Sequence, residues 1–193
     1  QSKKLLTYPK LKTQLAGIEL PNPVGLAAGF DKNASALHTL SQLGFGFIEV
    51  GAATPQPQSG NKKPRVLRLK SEKAIVNNYG FNNHGMKKIN GRLEVFAKRS
   101  PIGLNIGANK NSSNMAKDFI KVLALCEKNI HFATINISSP NTKNLRDLQR
   151  EGQLNDVLAL VNDVKSTLSH PVPIFIKISP DLSNSELEHI VKL

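Results

Sequence analysis

Phe132-Ala133-Thr134-Ile135-Asn136-Ile137-Ser138-Ser139-Pro140-Asn141-Thr142 is the stretch on which the fold turns. Its first part, Phe132 to Ile135, is an apolar run of the length expected for a buried strand. The run ends in amides and hydroxyls that offer hydrogen bonds and carry no charge. Such groups are costly to bury unless each finds a partner. A cluster of them at a strand's end therefore points to a polar ligand that supplies the partners. Ser, Pro and Asn are also the ordinary turn formers, and on this stretch alone a turn is the simpler account.

Outward from this strand, the chain alternates. Upstream, strands are expected at Val24-Gly25-Leu26, from Phe45 to Val50, and from Ile102 to Ile106; downstream, from Val172 to Ile178. Between them lie helical faces: Leu37, Leu40 and Leu43; Met86, Ile89, Leu93 and Phe96; Ser112 to Cys126; Leu154 to Leu168. Ser183-Asn184-Ser185-Glu186 has capping-box spacing and opens a last helix. Leu15 to Leu20, with Gly17 between, is a candidate hairpin lid, and Val66-Leu67-Arg68-Leu69 is an extra strand inside a long excursion.

Strand, helix, strand, helix implies an α/β fold with a parallel sheet. The polar residues Lys32, Asn105, Asn136, Ser139 and Lys177 follow the strands, where such folds place their sites. Five units make either an open doubly wound sheet or part of an eight-stranded (β/α)8 TIM-type barrel. Neither a G-x-G-x-x-G turn nor a P-loop is present, which favours the barrel. Five strands cannot close one, so the chain is expected to be a fragment holding about the first five β/α units. Residues 1–12 are basic and aperiodic and read as the tail of a preceding segment, with 13–193 as the partial barrel.

Composition narrows the function. The chain has 193 residues and a formal net charge of +12, which raises nucleic-acid or acidic-membrane binding. Its basic residues are mostly Lys in ones and twos, without interleaved base-stacking aromatics. A solvated, anion-attracting surface is the simpler reading, with no nucleic-acid partner. The single cysteine, Cys126, excludes an internal disulfide or cysteine metal site. No metal ligand set is expected. Cys126 falls on an apolar helical face, as a small core residue does.

Several motifs in order carry a resemblance: Leu26-Ala27-Ala28-Gly29-Phe30-Asp31-Lys32, Thr54-Pro55-Gln56-Pro57-Gln58, Asn77 to Gly85, Asn136 to Thr142, and Lys177-Ile178-Ser179-Pro180-Asp181-Leu182. From about residue 13 onward the chain resembles the dihydroorotate dehydrogenases, flavin enzymes of pyrimidine synthesis. The resemblance implies FMN as cofactor and dihydroorotate and orotate as substrate and product. The cytosolic branch carries Cys at the position of Ser139. This chain is therefore similar to the membrane-associated, quinone-reducing branch, which also disfavours dihydropyrimidine dehydrogenase.

That resemblance implies Ser139 as the base taking the C5 proton. It places Lys32, Asn77, Asn78, Tyr79, Gly80, Phe81, Asn136 and Asn141 around the substrate. It places Ala28, Gly29, Phe30, Asp31, Lys32, Ala52, Asn105, Asn136 and Lys177 around FMN. Arg68 would face the quinone. Ala52 stands where the family usually has a hydroxyl, and Asn78 replaces a usual Arg. Peripheral association through a segment outside this sequence is implied, at the cytoplasmic face of a bacterial inner membrane or at the mitochondrial inner membrane. Another FMN barrel, of the NAD-linked pyrimidine reductase or tRNA dihydrouridine synthase type, and a basic nucleic-acid-binding protein are the competing readings.

On physics alone Lys177 is the strongest of these residues, because a Lys buried in an apolar strand needs an anionic partner. Lys32 as a solvated helix-start residue and Asn105 as a strand-end cap are the plain alternatives. Tyr79 and Phe81 fit packing as well as contact, and His84 fits a helix start.

Overall fold

The structure is a computed structural model that describes residues 8–96, 100–142, 145–149 and 151–193. The first seven residues of the expected tail lie outside the described residues. A 3₁₀ turn at Pro9–Leu11 leads into an antiparallel hairpin, β1 (Thr13–Leu15) and β2 (Ile18–Leu20). Ala16 and Gly17, with φ of 48° and 81°, make its two-residue turn, a conformation that matches strand twist.

The main sheet has five parallel strands: β3 (Gly25–Leu26), β4 (Phe47–Ala53), β7 (Ile102–Ile106), β8 (Phe132–Asn136) and β9 (Ile174–Lys177). Their spatial order is their chain order, with no reversal. A doubly wound sheet reverses at its switch point, so this is the arc of a singly wound β/α barrel, as expected. The helices are α1 (Leu37–Leu40), α2 (Met86–Val95), α3 (Met115–Cys126), α4 (Glu151–Thr167) and α5 (Asn184–Lys192). A second hairpin, β5 (Val66–Leu69) and β6 (Ala74–Asn77), interrupts the pattern between β4 and α2.

Alternation along each strand sorts its residues between two faces. Ile48, Val50, Ile102, Leu104, Ile106, Ala133 and Ile135 face the helices and form one core with Ile89, Leu93, Phe119, Val122, Leu123 and Leu154. Each fully buried Ile or Leu in this layer contributes about 1.5–3 kcal/mol. Cys126 is fully buried in the same core, and burial pushes its thiol up to about 12.

The other face interleaves large with small. Phe47, Phe132 and Phe175 meet edge to face, with centroids 5.7 and 5.5 Å apart. Gly25 and Gly103 leave the space: a Cβ at either would collide with the Phe47 or the Phe132 ring. The amides Asn105 and Asn136 occupy the same face nearer the strands' C-terminal ends.

Local caps explain several boundaries. The Asn114 side chain accepts from the Lys117 amide and starts α3 at Met115, three residues later than Ser112. Ser183 and Glu186 form both bonds of the expected capping box.

Three expectations need correction. The helical face of Leu37, Leu40 and Leu43 is only one turn long, and Leu43 is exposed, because the chain turns at Gly44 to enter β4. β4 begins at Phe47 rather than Phe45 and continues through Gly51-Ala52-Ala53, shifting register against β7 between Val50 and Ala53. Lys177, expected buried, is exposed. It ends β9, the last strand of the described sheet, and lines the cleft described below.

Candidate functional site

The C-terminal ends of β3, β4, β7, β8 and β9 open into a cleft of about 470 Å³. Its lining includes Ala28, Gly29, Lys32, Ala52, Asn77, Tyr79, Gly80, Phe81, Asn105, Asn136, Ser139, Asn141 and Lys177. Residues from four of the five expected motifs thus meet in one place, and the fifth, Thr54 to Gln58, lies outside it. A larger opening, about 760 Å³, lies beside Pro55–Ser59 and gathers Lys110, Lys117, Lys121 and Asp118. It shares only Gly80 with the first and holds none of the strand-end amides, so the smaller cleft is the chemical candidate.

One wall has almost no side-chain bulk. The Gly29 N–H donates to the Gly51 carbonyl at 2.9 Å, and the Gly51 N–H donates to the Asp31 carbonyl at 3.1 Å. These bonds tie the loop after β3 to the bulge of β4. Gly51 sits at φ 109°, and a Cβ there would stand 2.5 Å from the Asn105 carbonyl oxygen. Only glycine fits. Ala28, Gly29, Gly51 and Ala52 together let a flat ring approach the backbone.

The Asn141 amide donates to the Asn77 side-chain oxygen at 3.2 Å, and the Asn61 amide donates to the Asn141 carbonyl at 3.2 Å. Ser139 Oγ accepts from the Asn141 N–H at 3.3 Å. Arg146, from the 3₁₀ turn Arg146–Gln149, donates from Nε to the Ser138 carbonyl at 2.9 Å and pairs with Asp181 at 2.9 Å. The loop carrying Ser139 is thereby held from both sides.

Beneath the excursion, Asn83 bonds through both ends of its amide. Its oxygen accepts from the Thr54 and Gly85 N–H groups, and its nitrogen donates to Thr54 Oγ1 at 2.8 Å and the Phe81 carbonyl at 2.7 Å. This fixes the Asn77–Phe81 segment over the cleft, with Phe81 itself at φ 51°. A bulky residue in that region marks stored strain, which concentrates at ligand-binding segments.

Three cations line the cleft, Lys32, Lys177 and Arg146, and among the described residues no carboxylate does. Lys32 Nζ lies 4.4 Å from the Tyr79 ring centroid, with the Arg65 guanidinium 5.8 Å from the same ring. Burial first, and the Arg65 charge second, hold the Lys32 ammonium below the ordinary lysine value. A ligand carboxylate would relieve both.

Not every expected residue reaches the cleft. Asp31 is buried, and its carboxylate accepts from the N–H groups of Asn33, Ser35 and Ala36 at 3.3, 2.9 and 2.7 Å, so it shapes the loop. Phe30 is exposed and does not line the cleft. Asn78 bonds to Asn61 at 2.7 Å outside it. Arg68 is exposed on β5, opposite Ile75 of β6. His84 precedes α2, is exposed, and contacts Arg92 at 3.2 Å.

The family description "dihydroorotate dehydrogenase" matches residues 10–193. The chain belongs to the dihydroorotate dehydrogenase family. Quinone-type dihydroorotate dehydrogenases are similar to it: 51% identity over 97% of this chain for Cereibacter sphaeroides, and 43% over 96% for Rhodopseudomonas palustris. The chain spans about half of these dihydroorotate dehydrogenases, 53% and 52% of their lengths. The solved dihydroorotate dehydrogenase of Eimeria tenella in complex with ferulenol superposes with a TM-score of 0.89 at 35% identity, covering 96% of this chain and 56% of that one. That enzyme is a TIM-type barrel, and the arc described above is the corresponding part.

Two residues at or beside this cleft were not anticipated. Arg146 follows the Asn136–Thr142 stretch without any periodic signal, and only the folded chain brings it back. Glu49 had a signal, a charge inside an apolar strand, the same kind that singled out Lys177.

Proposed function

We propose that the intact enzyme oxidises dihydroorotate to orotate, with FMN as its cofactor and a quinone as the final electron acceptor. The observation that carries this is the meeting of Lys32, Asn77, Asn136, Ser139 and Asn141 in a cleft whose charged lining residues, among those described, are all cationic. Orotate is an anionic pyrimidine with a urea-like edge. Lys32 matches its carboxylate, and neutral amides match an edge that both donates and accepts. The small-residue wall fits the flat ring of FMN, with Ala28, Gly29, Ala52, Asn105, Asn136 and Lys177 holding it. When bound, FMN supplies the acceptor for the hydride leaving C6.

Ser139 takes the C5 proton. The Asn141 N–H bonded to Ser139 Oγ favours its deprotonated form and leaves a lone pair for the substrate. Buried Thr142, or a water, passes the proton onward. Among the described residues no helix is long and apolar enough to cross a membrane. Access to a lipid-soluble quinone is assigned to peripheral association with a membrane surface. Anaerobic mixing of the yellow enzyme with dihydroorotate tests the whole reading: the flavin absorbance should bleach, and quinone should restore it. A colourless protein, or a flavin that dihydroorotate leaves oxidised, overturns it.

Lys32 gives this reading a pH signature. Its ammonium is destabilised in the free site and stabilised by a bound carboxylate, so orotate binding takes up a proton above the lowered free value. Orotate affinity should be flat below that value and weaken as pH rises through it, earlier than an ordinary lysine would dictate. Lys32→Met should bind orotate weakly and without this dependence; titrations between neutral and alkaline pH check it.

Arg68 is assigned to the quinone side. It shares a face of the β5–β6 hairpin with Val66 and Ile75, and Ile75 is exposed beside it. A guanidinium there donates to a carbonyl that gains negative charge on reduction. Arg68→Ala should slow reoxidation of the reduced flavin by quinone and spare its reduction by dihydroorotate. Stopped-flow traces of the two half-reactions decide it, and equal slowing of both would make Arg68 structural.

A further inference from the structure

Glu49 lies on β4 between Ile48 and Val50, both fully buried on the helix side, so its side chain points to the opposite face. There it meets Asn105. Asn105 Nδ2 donates to Glu49 Oε1 at 2.7 Å, and Asn136 Nδ2 donates to Asn105 Oδ1 at 3.0 Å. Asn136 Oδ1 in turn accepts from the Ser138 N–H at 3.1 Å and from Ser138 Oγ at 2.8 Å. One line of side chains runs from β4 through β7 and β8 to the loop that carries Ser139.

The two ends set the direction of that line: the Ser138 N–H, which only donates, and Glu49, which only accepts. A carboxylate accepts and does not donate, whereas an asparagine amide has nearly the same shape either way round. Facing Glu49, Asn105 must present its NH₂, which turns its carbonyl toward Asn136. Asn136 must then present its own NH₂ to Asn105, which turns its carbonyl to Ser138. Each NH₂ has two hydrogens and this line uses one. What remains at both amides is an N–H donor, suited to a carbonyl oxygen or ring nitrogen of a heteroaromatic ligand. Reversed amides would offer oxygen instead. Among the described residues Glu49 forms no ion pair, so the amide is its partner here.

We propose that Glu49 is a positioning residue: its carboxylate holds the Asn105 amide in the orientation that the Ser138 N–H imposes on Asn136 from the other end, so that both offer donors to the ring-shaped ligands of the cleft. This rests on the flavin and orotate reading above. Glu49→Gln keeps the shape and removes the compulsion at the Asn105 end, because a carboxamide presents either NH₂ or oxygen. Loss of a defined donor weakens orotate binding about tenfold, the size of one net hydrogen bond, with the thermal midpoint unchanged. An electrostatic role predicts the opposite sign, since removing a negative charge near an anion's site strengthens binding.

The experiment is an orotate titration of the flavin spectrum in wild-type and Glu49→Gln enzyme, with side-chain amide NMR of Asn105 and Asn136. The expected result is weaker orotate binding and doubled or broadened amide resonances in the variant. Equal or tighter orotate binding, or sharp single resonances at the wild-type shifts, overturns the role of Glu49 and leaves the cleft reading intact. A wild-type enzyme that neither binds orotate nor retains flavin overturns both. If the variant fails to fold, Glu49 holds the sheet rather than the amides, and the proposal falls.

Discussion

Ser139→Ala is expected to slow reduction of the bound flavin by dihydroorotate by about 10²–10⁴-fold, the usual contribution of a positioned base. Flavin content and orotate affinity should stay near wild type, because Ser139 Oγ bonds within its own loop, to the Asn141 N–H, and the loop is held independently by Arg146 and Asn61. Ser139→Cys should recover part of the rate with a profile displaced to lower pH, since a thiol ionises more readily than a hydroxyl. Rapid-mixing measurement of flavin bleaching across pH reads both effects. An alanine variant that bleaches at the wild-type rate would remove Ser139 from the chemistry and leave the fold untouched.

Gly51→Ala carries the largest expected effect on stability. The added methyl would stand 2.5 Å from the Asn105 carbonyl oxygen and 2.9 Å from the Ala53 nitrogen, both backbone atoms that cannot swing aside. The φ of 109° is also closed to an L side chain. Together these should cost about 3 kcal/mol or more, read as a lowered urea midpoint together with loss of flavin, because the bulge forms one wall of the cleft. Gly91→Ala is the internal control. Gly91 lies in α2 with open space around it, and alanine there should stabilise by about 0.5–1 kcal/mol. Equal midpoints for the two variants would mean that the bulge is not under the constraint described.

The architecture was legible because its cause is local. Apolar runs bounded by turn residues, with helical periodicity between them, do not need the fold in order to be seen, and the capping box at Ser183 acts within a single turn. The Asn136–Thr142 stretch announced a polar strand end for the same reason. Several strand-end residues, Lys32, Asn105, Asn136, Ser139 and Lys177, do line one cleft, because parallel strands in chain order bring their C-terminal ends together.

What the sequence could not settle is where each side chain points and what it meets. Asp31 belongs to a ligand-like motif, yet three backbone N–H groups of its own loop claim its carboxylate. Lys177 sits in an apolar run, yet it is exposed where its strand opens into the cleft. Arg146 and Glu49 enter the site through partners 8 and 56 residues away in the chain. Periodicity and propensity record what a residue does relative to its neighbours in sequence. Contacts across that distance depend on strand register and loop closure, which only the folded chain decides.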